Sequence, residues 1–398
     1  MLATPFLSVN VNSSGERGLL GIAFDPNFSS NQFVYVYYTT AASPIHNRVS
    51  RFTANGDIGT SESVILELDD LSTATNHNGG ALHFGDDGKL YIAVGENATP
   101  SNAQTLSNLH GKILRINSDG SIPADNPFFN TATGKNQAIW ALGLRNPFTF
   151  AFEPQQPLQR MFVNDVGQNT FEEINVGSAG ANYGWPDSEG PTTTPGHTGP
   201  IYFYGHGGGA CAITGGAFYN PVVNEFPADY LNDYFFADYC AGWIKRRDNN
   251  GTITDFTSGI SFPVDLQVTP DGSLYYLARG NGGQVFRIDY TANQAPNITD
   301  QPDDLSVALG QSATFSVTAT GNPAPTYQWQ RNRVNIPGAT NPSFTIPAAS
   351  ADDHNDLFRV VVSNSLGTAF SREALLTVTG NSPPTATITQ PAAGTLYT

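Results

Sequence analysis

The sequence predicts an all-β chain in two parts, a β-propeller followed by a smaller β-sandwich. From residue 17 to about 290, short strand-like runs are punctuated by Gly, Asp, Asn and Pro, with no amphipathic helix longer than a couple of turns. A turn-and-strand unit recurs loosely, as Asp87-Gly88-Lys89-Leu90-Tyr91 and again as Asp271-Gly272-Ser273-Leu274-Tyr275. Degenerate repetition of sheets at several tens of residues is what a propeller leaves in a sequence, whereas a β-helix shows tighter and more regular spacing. At about Thr291 the composition shifts through the linker-like Ala292-Asn293-Gln294-Ala295-Pro296. The expected division is therefore 1–290, 291–380 and, from Ile388-Thr389-Gln390-Pro391, the opening of a further module within 381–398.

Each strand follows from β-branched and aromatic content. The runs are Phe33–Thr39, Leu90–Val94, Ile113–Ile116, Phe148–Phe152, Met161–Val163, Ala217–Tyr219, Tyr234–Ala237, Leu266–Val268, Leu274–Leu277 and Val285–Ile288. In the second part Ala313–Ala319, Tyr327–Gln330 and Phe358–Val362 alternate as sandwich strands do, with Trp329 between them. A tryptophan so placed is similar to the core Trp of immunoglobulin-like domains. Val317 and Val360 stand where those domains carry a cysteine pair, so packing has to replace the disulfide. This part reads as a spacer or an adhesion module, a means of surface or glycan attachment.

The formal charge of −16 repels phosphate backbones and excludes nucleic acid as a partner. Charged residues make up 13% of the chain, and with abundant Ser, Thr, Asn, Gly and Tyr this is the composition of a secreted or periplasmic β-protein. No apolar run approaches the length of a membrane span. Met1–Phe6 has neither a charged nor a long apolar region, so the stretch reads as the interior of a longer secreted chain. Four lysines, Lys89, Lys112, Lys135 and Lys245, leave few groups for amine chemistry. Cys211 and Cys240 fit no metal-ligand spacing; the expectation is one disulfide, the other arrangement being two buried thiols.

Candidate chemistry centres on Asn76-His77-Asn78-Gly79-Gly80, where a histidine precedes two glycines and then a strand. An imidazole titrates near neutrality, which suits proton transfer at a loop mouth. Arg145 either stabilises developing negative charge or pairs with a carboxylate under a loop. Strand alternation sends one of Glu172 and Glu173 to solvent.

Six peptides in order carry more. They are Gly15–Phe28, His77–Gly80, Gly111–Ile116 with Ile122–Phe128, Gly143–Phe148, Glu172–Asn175 and Asn182–Pro186. Over roughly residues 5–290 this set closely resembles the glucose/sorbosone dehydrogenase family, soluble aldose dehydrogenases that use pyrroloquinoline quinone (PQQ). The resemblance implies a six-bladed propeller, its first blade incomplete because the family segment before Pro5-Phe6 is not present. It implies that His77 is the general base taking the proton from a sugar's anomeric hydroxyl, and that Arg145 and Asn146 contact the quinone oxygens. It further implies a Ca²⁺ site at Glu173 and the backbone of Tyr183, oxygen ligands that suit a hard cation. An aldose substrate and an external electron acceptor complete the reading.

Three departures stand out. Glu16 occupies a cofactor-binding position where members often carry Gln, and an ionised Glu repels a tricarboxylate. Asn76 replaces an Asp before the base. The stretches Ile213–Asn220 and Tyr234–Cys240 offer no lysine. In these the chain resembles hedgehog-interacting-protein-like propellers, whose alternative function is non-catalytic binding of a glycan or protein.

Overall fold

A computed structural model of the chain describes residues 4–154, 160–290 and 293–380, so the module expected at 381–398 lies outside the described residues. The chain forms two compact units, Met1–Tyr290 and Thr291–Thr398.

The first unit is a series of antiparallel sheets. The first contains β1 (Leu19–Phe24), β2 (Phe33–Thr39), β3 (His46–Asn55) and β4 (Ile58–Asp70). The second contains β5 (Leu82–Phe84), β6 (Leu90–Val94), β7 (Lys112–Ile116) and β8 (Ile139–Leu142). The third contains β9 (Pro147–Phe152), β10 (Met161–Asp165), β11 (Phe171–Val176) and β12 (Tyr202–Gly205). The fourth contains β13 (Ile213–Phe218), β14 (Tyr234–Asp238), β15 (Trp243–Arg247) and β16 (Ile253–Ser258). The fifth has three strands, β17 (Pro263–Val268), β18 (Leu274–Ala278) and β19 (Gln284–Ile288). Within each sheet the strands follow chain order.

Hydrophobic cores lie between successive sheets. Tyr37 and Val49 meet Leu82 and Ile92, Ile113 and Ala141 meet Phe150 and Val163, and Phe162 and Ile174 meet Phe218 and Phe236. Ala217 and Phe235 meet Leu266 and Leu274 in turn. Both faces of an inner strand are covered, which is why β6, β10, β13 and β14 are buried throughout rather than alternately. A fully buried Leu or Phe contributes about 1.5–3 kcal/mol, so the apolar interfaces between sheets are a main source of the unit's stability.

The architecture departs from expectation in the number and place of its sheets. Among the described residues there are five sheets and not six, the first is complete, and the short sheet is the last. The physical reason lies in residues 4–17, which begin no sheet of their own. Leu7, Val9 and Val11 pack onto Val36, Tyr38 and Phe52 of the first sheet, and Asn12 donates its N–H to the Thr39 carbonyl at 3.1 Å. The end sheets are correspondingly less covered, with Leu19, Ile22 and Phe24 exposed on β1 and Val285 and Phe286 on β19.

The first strands of the sheets share a direction, and this positions everything functional. The C-terminal ends of β5, β9, β13 and β17 meet around one cavity of about 480 Å³, lined by Phe84, Phe152, Phe218 and Val268 among others. Their N-terminal ends therefore gather at the other mouth. Cross-links there are direct: Gly79 N–H to Asn146 Oδ1 at 3.1 Å, Thr149 Oγ1 to the Gly215 carbonyl at 2.7 Å and Thr214 Oγ1 to the Pro263 carbonyl at 2.7 Å. Near this end Cys211 and Cys240 are joined in a disulfide with a Cα–Cα distance of 5.6 Å, tying the start of β13 to the end of β14. Such a bridge contributes typically about 2–4 kcal/mol.

The second unit is a sandwich. Leu357–Asn364 pairs with Thr326–Arg331, Gly367–Phe370 and Ala374–Thr379, while Ala313–Ser316 pairs with Ser343–Ile346. Trp329 is fully buried, donates Nε1 to the Asn341 carbonyl at 3.0 Å, and packs with Val317, Phe358 and Val360 in one core.

One fold element carries a pH signature. His83 on β5 packs edge-on against Phe150, and burial lowers its pKa to about 4 from the usual 6.5. Its neutral ring contributes stability that is present above pH 6.5 and is lost as pH falls towards about 4, because the unfolded chain takes the proton first. Thermal melts between those values should show His83→Gln losing less melting temperature on acidification than the parent. Equal losses would show that the ring is protonated within the fold.

Candidate active site

His77 sits just before β5 in the left-handed region, with φ of 56°, a conformation that a non-glycine residue keeps only when its surroundings hold it. The restraints are visible on both sides. Its N–H donates to Glu16 Oε2 at 2.7 Å, and its carbonyl accepts the N–H of Asn97 at 3.1 Å. The ring is nearly enclosed, and its Nδ1 lies 2.6 Å from Oε1 of Glu96. Glu96 is fully buried, and its other oxygen accepts the Thr99 N–H. A carboxylate on Nδ1 fixes the proton there and leaves Nε2 as the nitrogen with the lone pair. Gly95 makes the approach of these groups feasible: a Cβ there would fall 2.2 Å from the His77 carbonyl oxygen.

Arg145 and Asn146 arrive from the turn before β9. Asp165, at the end of β10, accepts the Arg145 N–H at 3.0 Å on one oxygen and the Asn146 N–H at 2.7 Å on the other. The Asn146 side chain then accepts the Gly79 N–H, and Glu96 donates its N–H to the Arg145 carbonyl at 2.9 Å. The histidine loop and the arginine turn are thus one hydrogen-bonded unit. The Arg145 guanidinium donates Nη1 to the carbonyls of Val166 and Gly167 at 3.0 and 2.8 Å, and lies 5.6 Å from the centre of the Trp185 ring. Its side-chain partners are carbonyls rather than the carboxylate under a loop that one sequence reading of Arg145 expected.

Behind this unit lies a group of buried acids. Burial, with the Glu173 charge adding to it, holds the Asp165 carboxyl well above the usual range against the pull of its two N–H donors. Burial also raises Glu173 to about 7, opposed by Asn175 and the Gly190 N–H. The expectation that one of Glu172 and Glu173 faces solvent is corrected, because both are buried. β11 has a neighbouring sheet or loop over each face: Glu172 accepts the Ile213 N–H at 2.8 Å and meets His206 Nε2 at 2.8 Å, while Glu173 is held by Asn175 Nδ2 at 3.0 Å and by Gly190. Tyr183 is buried too, its hydroxyl donating to the Val176 carbonyl at 2.6 Å. Among the described residues no group of three or more His, Cys, Asp or Glu forms a metal cage, and Glu173 and Tyr183 make no such cluster.

The comparisons with known proteins bear on this arrangement. The family model described as glucose/sorbosone dehydrogenase matches residues 3–287, and an immunoglobulin domain model matches residues 295–364. The chain belongs to the glucose/sorbosone dehydrogenase family. It is 28% identical to the aldose sugar dehydrogenase of Escherichia coli over 324 residues, which cover 72% of this chain and 81% of that protein. It is 34% identical to quinoprotein glucose dehydrogenase B of Acinetobacter calcoaceticus over 205 residues, 45% of this chain and 42% of the other. Among solved structures, the PQQ-bound aldose sugar dehydrogenase of Streptomyces coelicolor superposes with a TM-score of 0.58 at 26% identity, over 70% of this chain and 81% of that one.

Within a family site, orphaned donors test whether the residues fit an acceptor-rich cofactor. Arg145 Nε and Trp185 Nε1 are both buried, and neither has a hydrogen-bond partner. Unpaired buried donors cost about 1–3 kcal/mol each, and quinone and carboxylate oxygens are the acceptors they lack. The residues at this end fit the group. Sequence reading missed Glu96 and Asp165, although each is an acid placed at or just past the end of a buried strand, at the mouth where His77 and Arg145 were expected.

Because Asp165 by itself pairs the N–H groups of Arg145 and Asn146, its loss should be felt as stability. Asp165→Ala should destabilise the first unit by about 2–5 kcal/mol, and Asp165→Asn, which keeps an acceptor, by less. Denaturant titrations of the two variants decide this, and equal costs would remove the acceptor role.

Proposed function

We propose that the first unit oxidises an aldose sugar at its anomeric carbon to the lactone, using PQQ with Ca²⁺ and passing electrons to an external acceptor. The observation that carries the reading is His77, held in a left-handed backbone conformation with Nδ1 on the buried Glu96 carboxylate, on the same hydrogen-bonded unit as Arg145 and Asn146. The names of the E. coli and A. calcoaceticus relatives support it. Bound at this mouth, the quinone would supply the two-electron acceptor for the hydride leaving C1. Arg145, Asn146 and Trp185 would hold it, with Glu16 beside His77; Glu173 and the Tyr183 backbone would take the cation.

The chain's own part is proton chemistry. His77 Nε2 accepts the proton of the anomeric hydroxyl, and Glu96 stabilises the imidazolium that results, a division of labour general to carboxylate-backed histidine bases. A secreted or periplasmic location accords with the composition; among the described residues no helix is long and apolar enough to cross a membrane.

A second reading has its own observation. Glu16 is an exposed carboxylate docked on the His77 backbone, where it repels a tricarboxylate. It favours the non-catalytic alternative, a secreted propeller that binds a glycan or a protein. Purified protein supplied with PQQ, Ca²⁺, an aldose and a redox dye separates the two, since the alternative predicts no dye reduction with any aldose.

If the parent reduces dye, His77→Gln should leave cofactor binding largely intact and lower kcat by roughly 10²–10⁴, the usual worth of a general base. Glu96→Gln keeps a hydrogen-bonding side chain but removes the charge behind the imidazolium, and should also lower kcat with little change in KM. A Glu96→Gln enzyme of parental kcat would assign the carboxylate to folding alone.

A further inference from the structure

Lys112 opens β7 beside the active mouth, opposite Val94 of β6, and is wholly buried. An ammonium in such a place is costly, and a carboxylate partner is the ordinary remedy. Here the Nζ donates instead to three backbone carbonyls, those of Asn102 at 2.7 Å, Ala103 at 3.0 Å and His110 at 2.6 Å. Asp69, at the end of β4, attracts the charge from further away, but is itself paired with Lys135 at 2.8 Å and holds the Leu109 N–H at 2.8 Å. A buried charge gripped by carbonyls organises backbone, and the backbone in question belongs to the site.

The carbonyls lie in the loop between β6 and β7, which touches three parts of the mouth. Asn102 donates its side-chain amide to the Glu96 carbonyl at 3.0 Å and its N–H to the Thr99 carbonyl at 2.9 Å, and Thr99 in turn keeps its N–H on the Glu96 carboxylate. The Ala103 carbonyl also takes the Gly143 N–H at 3.0 Å, in the turn that leads to Arg145. Gln104 donates to the Trp185 carbonyl at 2.7 Å and to Asn182 Oδ1 at 3.0 Å. Gly111 lets the loop close on itself, since a Cβ there would fall 2.8 Å from Ala103 Cα. Glu96, Arg145 and Trp185 are thus all tied to one short 3-10 turn, Pro100–Gln104, and that turn is held by the ammonium.

We infer that Lys112 is a positioning residue of the site: its charged amine, gripping three carbonyls, sets the loop that holds Glu96 against His77 and steadies the turns that carry Arg145 and Trp185. The inference rests on the sugar-oxidation reading and adds a residue to it. Charge-assisted hydrogen bonds are roughly twice as strong as neutral ones, and an amine that has lost its proton has two donors for three carbonyls. Burial lowers the Lys112 pKa to about 7 from the usual 10.5, with Asp69 opposing, so the grip weakens as pH rises through neutrality. Few other groups face it. The flanking strands bring Val94 and Leu142 opposite it, and burial pushes the His110 ring below its usual 6.5, so that ring is neutral over the same range. Between about pH 7 and 10.5 the unfolded chain binds the proton that the folded chain has released, so folding stability from this group rises with pH. Stability and positioning therefore run in opposite directions, which separates a positioning role from a structural one.

The test uses the full chain and two variants, Lys112→Met and Asn102→Ala. The first removes the charge and keeps the apolar stem; the second leaves the three carbonyls on the lysine and cuts the amide that reaches Glu96. With PQQ, Ca²⁺, an aldose and a redox dye, Lys112→Met should show a kcat about ten- to a hundredfold below the parent at about pH 6, with little change in KM. That deficit should shrink by about pH 9, where the parent's own amine is neutral. Asn102→Ala should also lower kcat, and should flatten the parent's decline above neutrality. A deficit equal at both pH values, or growing with pH, would overturn the positioning role. Hydrogen exchange without cofactor, corrected for the intrinsic rate at each pH, reads the same link without turnover. In Lys112→Met the amides of Glu96, Asn97, Thr99 and Gly143 should lose about tenfold in protection while those of β10 keep theirs. The parent should show the same local loss between about pH 6 and 9, so the test stands even where Lys112→Met fails to fold. Equal losses in both places, or none, would overturn the role as well. A parent that oxidises no aldose but shows the local pattern would end the oxidation reading and leave Lys112 as the residue that sets the loop.

Discussion

The carboxylate of Asp165 is the point from which the mouth is built. Its two oxygens take the N–H groups of Arg145 and Asn146, and through the Asn146 side chain the restraint passes to Gly79 and the loop that carries His77. Glu96 closes the circuit, with its N–H on the Arg145 carbonyl and its carboxylate on the imidazole. Three sequence-distant pieces, one before β5, one before β9 and one ending β10, thereby hold one geometry. Such an arrangement needs first strands that point the same way, so that the turns preceding them meet; the cavity shared by their other ends shows that they do.

Much of the fold was legible where both faces of a strand are buried. Phe33–Thr39 and Leu90–Val94 have the bounds that the sequence suggests, and most other runs of the first unit differ by a few residues at one end; Ala217–Tyr219 catches only the end of Ile213–Phe218, and in the second unit Ala313–Ala319 divides into Ala313–Ser316 and Thr318–Asn322. Strands of mixed polarity were not legible. β3, β4, β15 and β16 carry charged and Thr residues on partly exposed surfaces, and their ladders come from position in the sheet rather than from propensity. The count of sheets failed for a similar reason. Nothing in Leu7, Val9 and Val11 distinguishes a strand that opens a sheet from an extended segment that packs on one.

In the site, residue types with a single chemical use were readable and supporting residues were not. His77 beside two glycines announces itself, but Glu96 is one acid among 34 acidic residues until Gly95 brings the imidazole to it. Asp165 is marked only by its strand-end position, and its value lies in backbone N–H groups that no side-chain pattern shows.

Charge of both signs meets around the mouth. Arg17 and Arg145 bring two positive charges near the mouth, and both spend Nη donors on carbonyls, at Ser72 and Ala74 and at Val166 and Gly167. Glu16 and Glu96 bring two negative charges against them, and the buried acids behind, Asp165 and Glu173, have raised pKa values because burial disfavours their ionised forms. A tricarboxylate entering such a field meets little net attraction, whatever hydrogen bonds await it. A divalent cation would change both terms at once, by drawing the raised carboxyls into their ionised forms and by offering the incoming anion a positive centre.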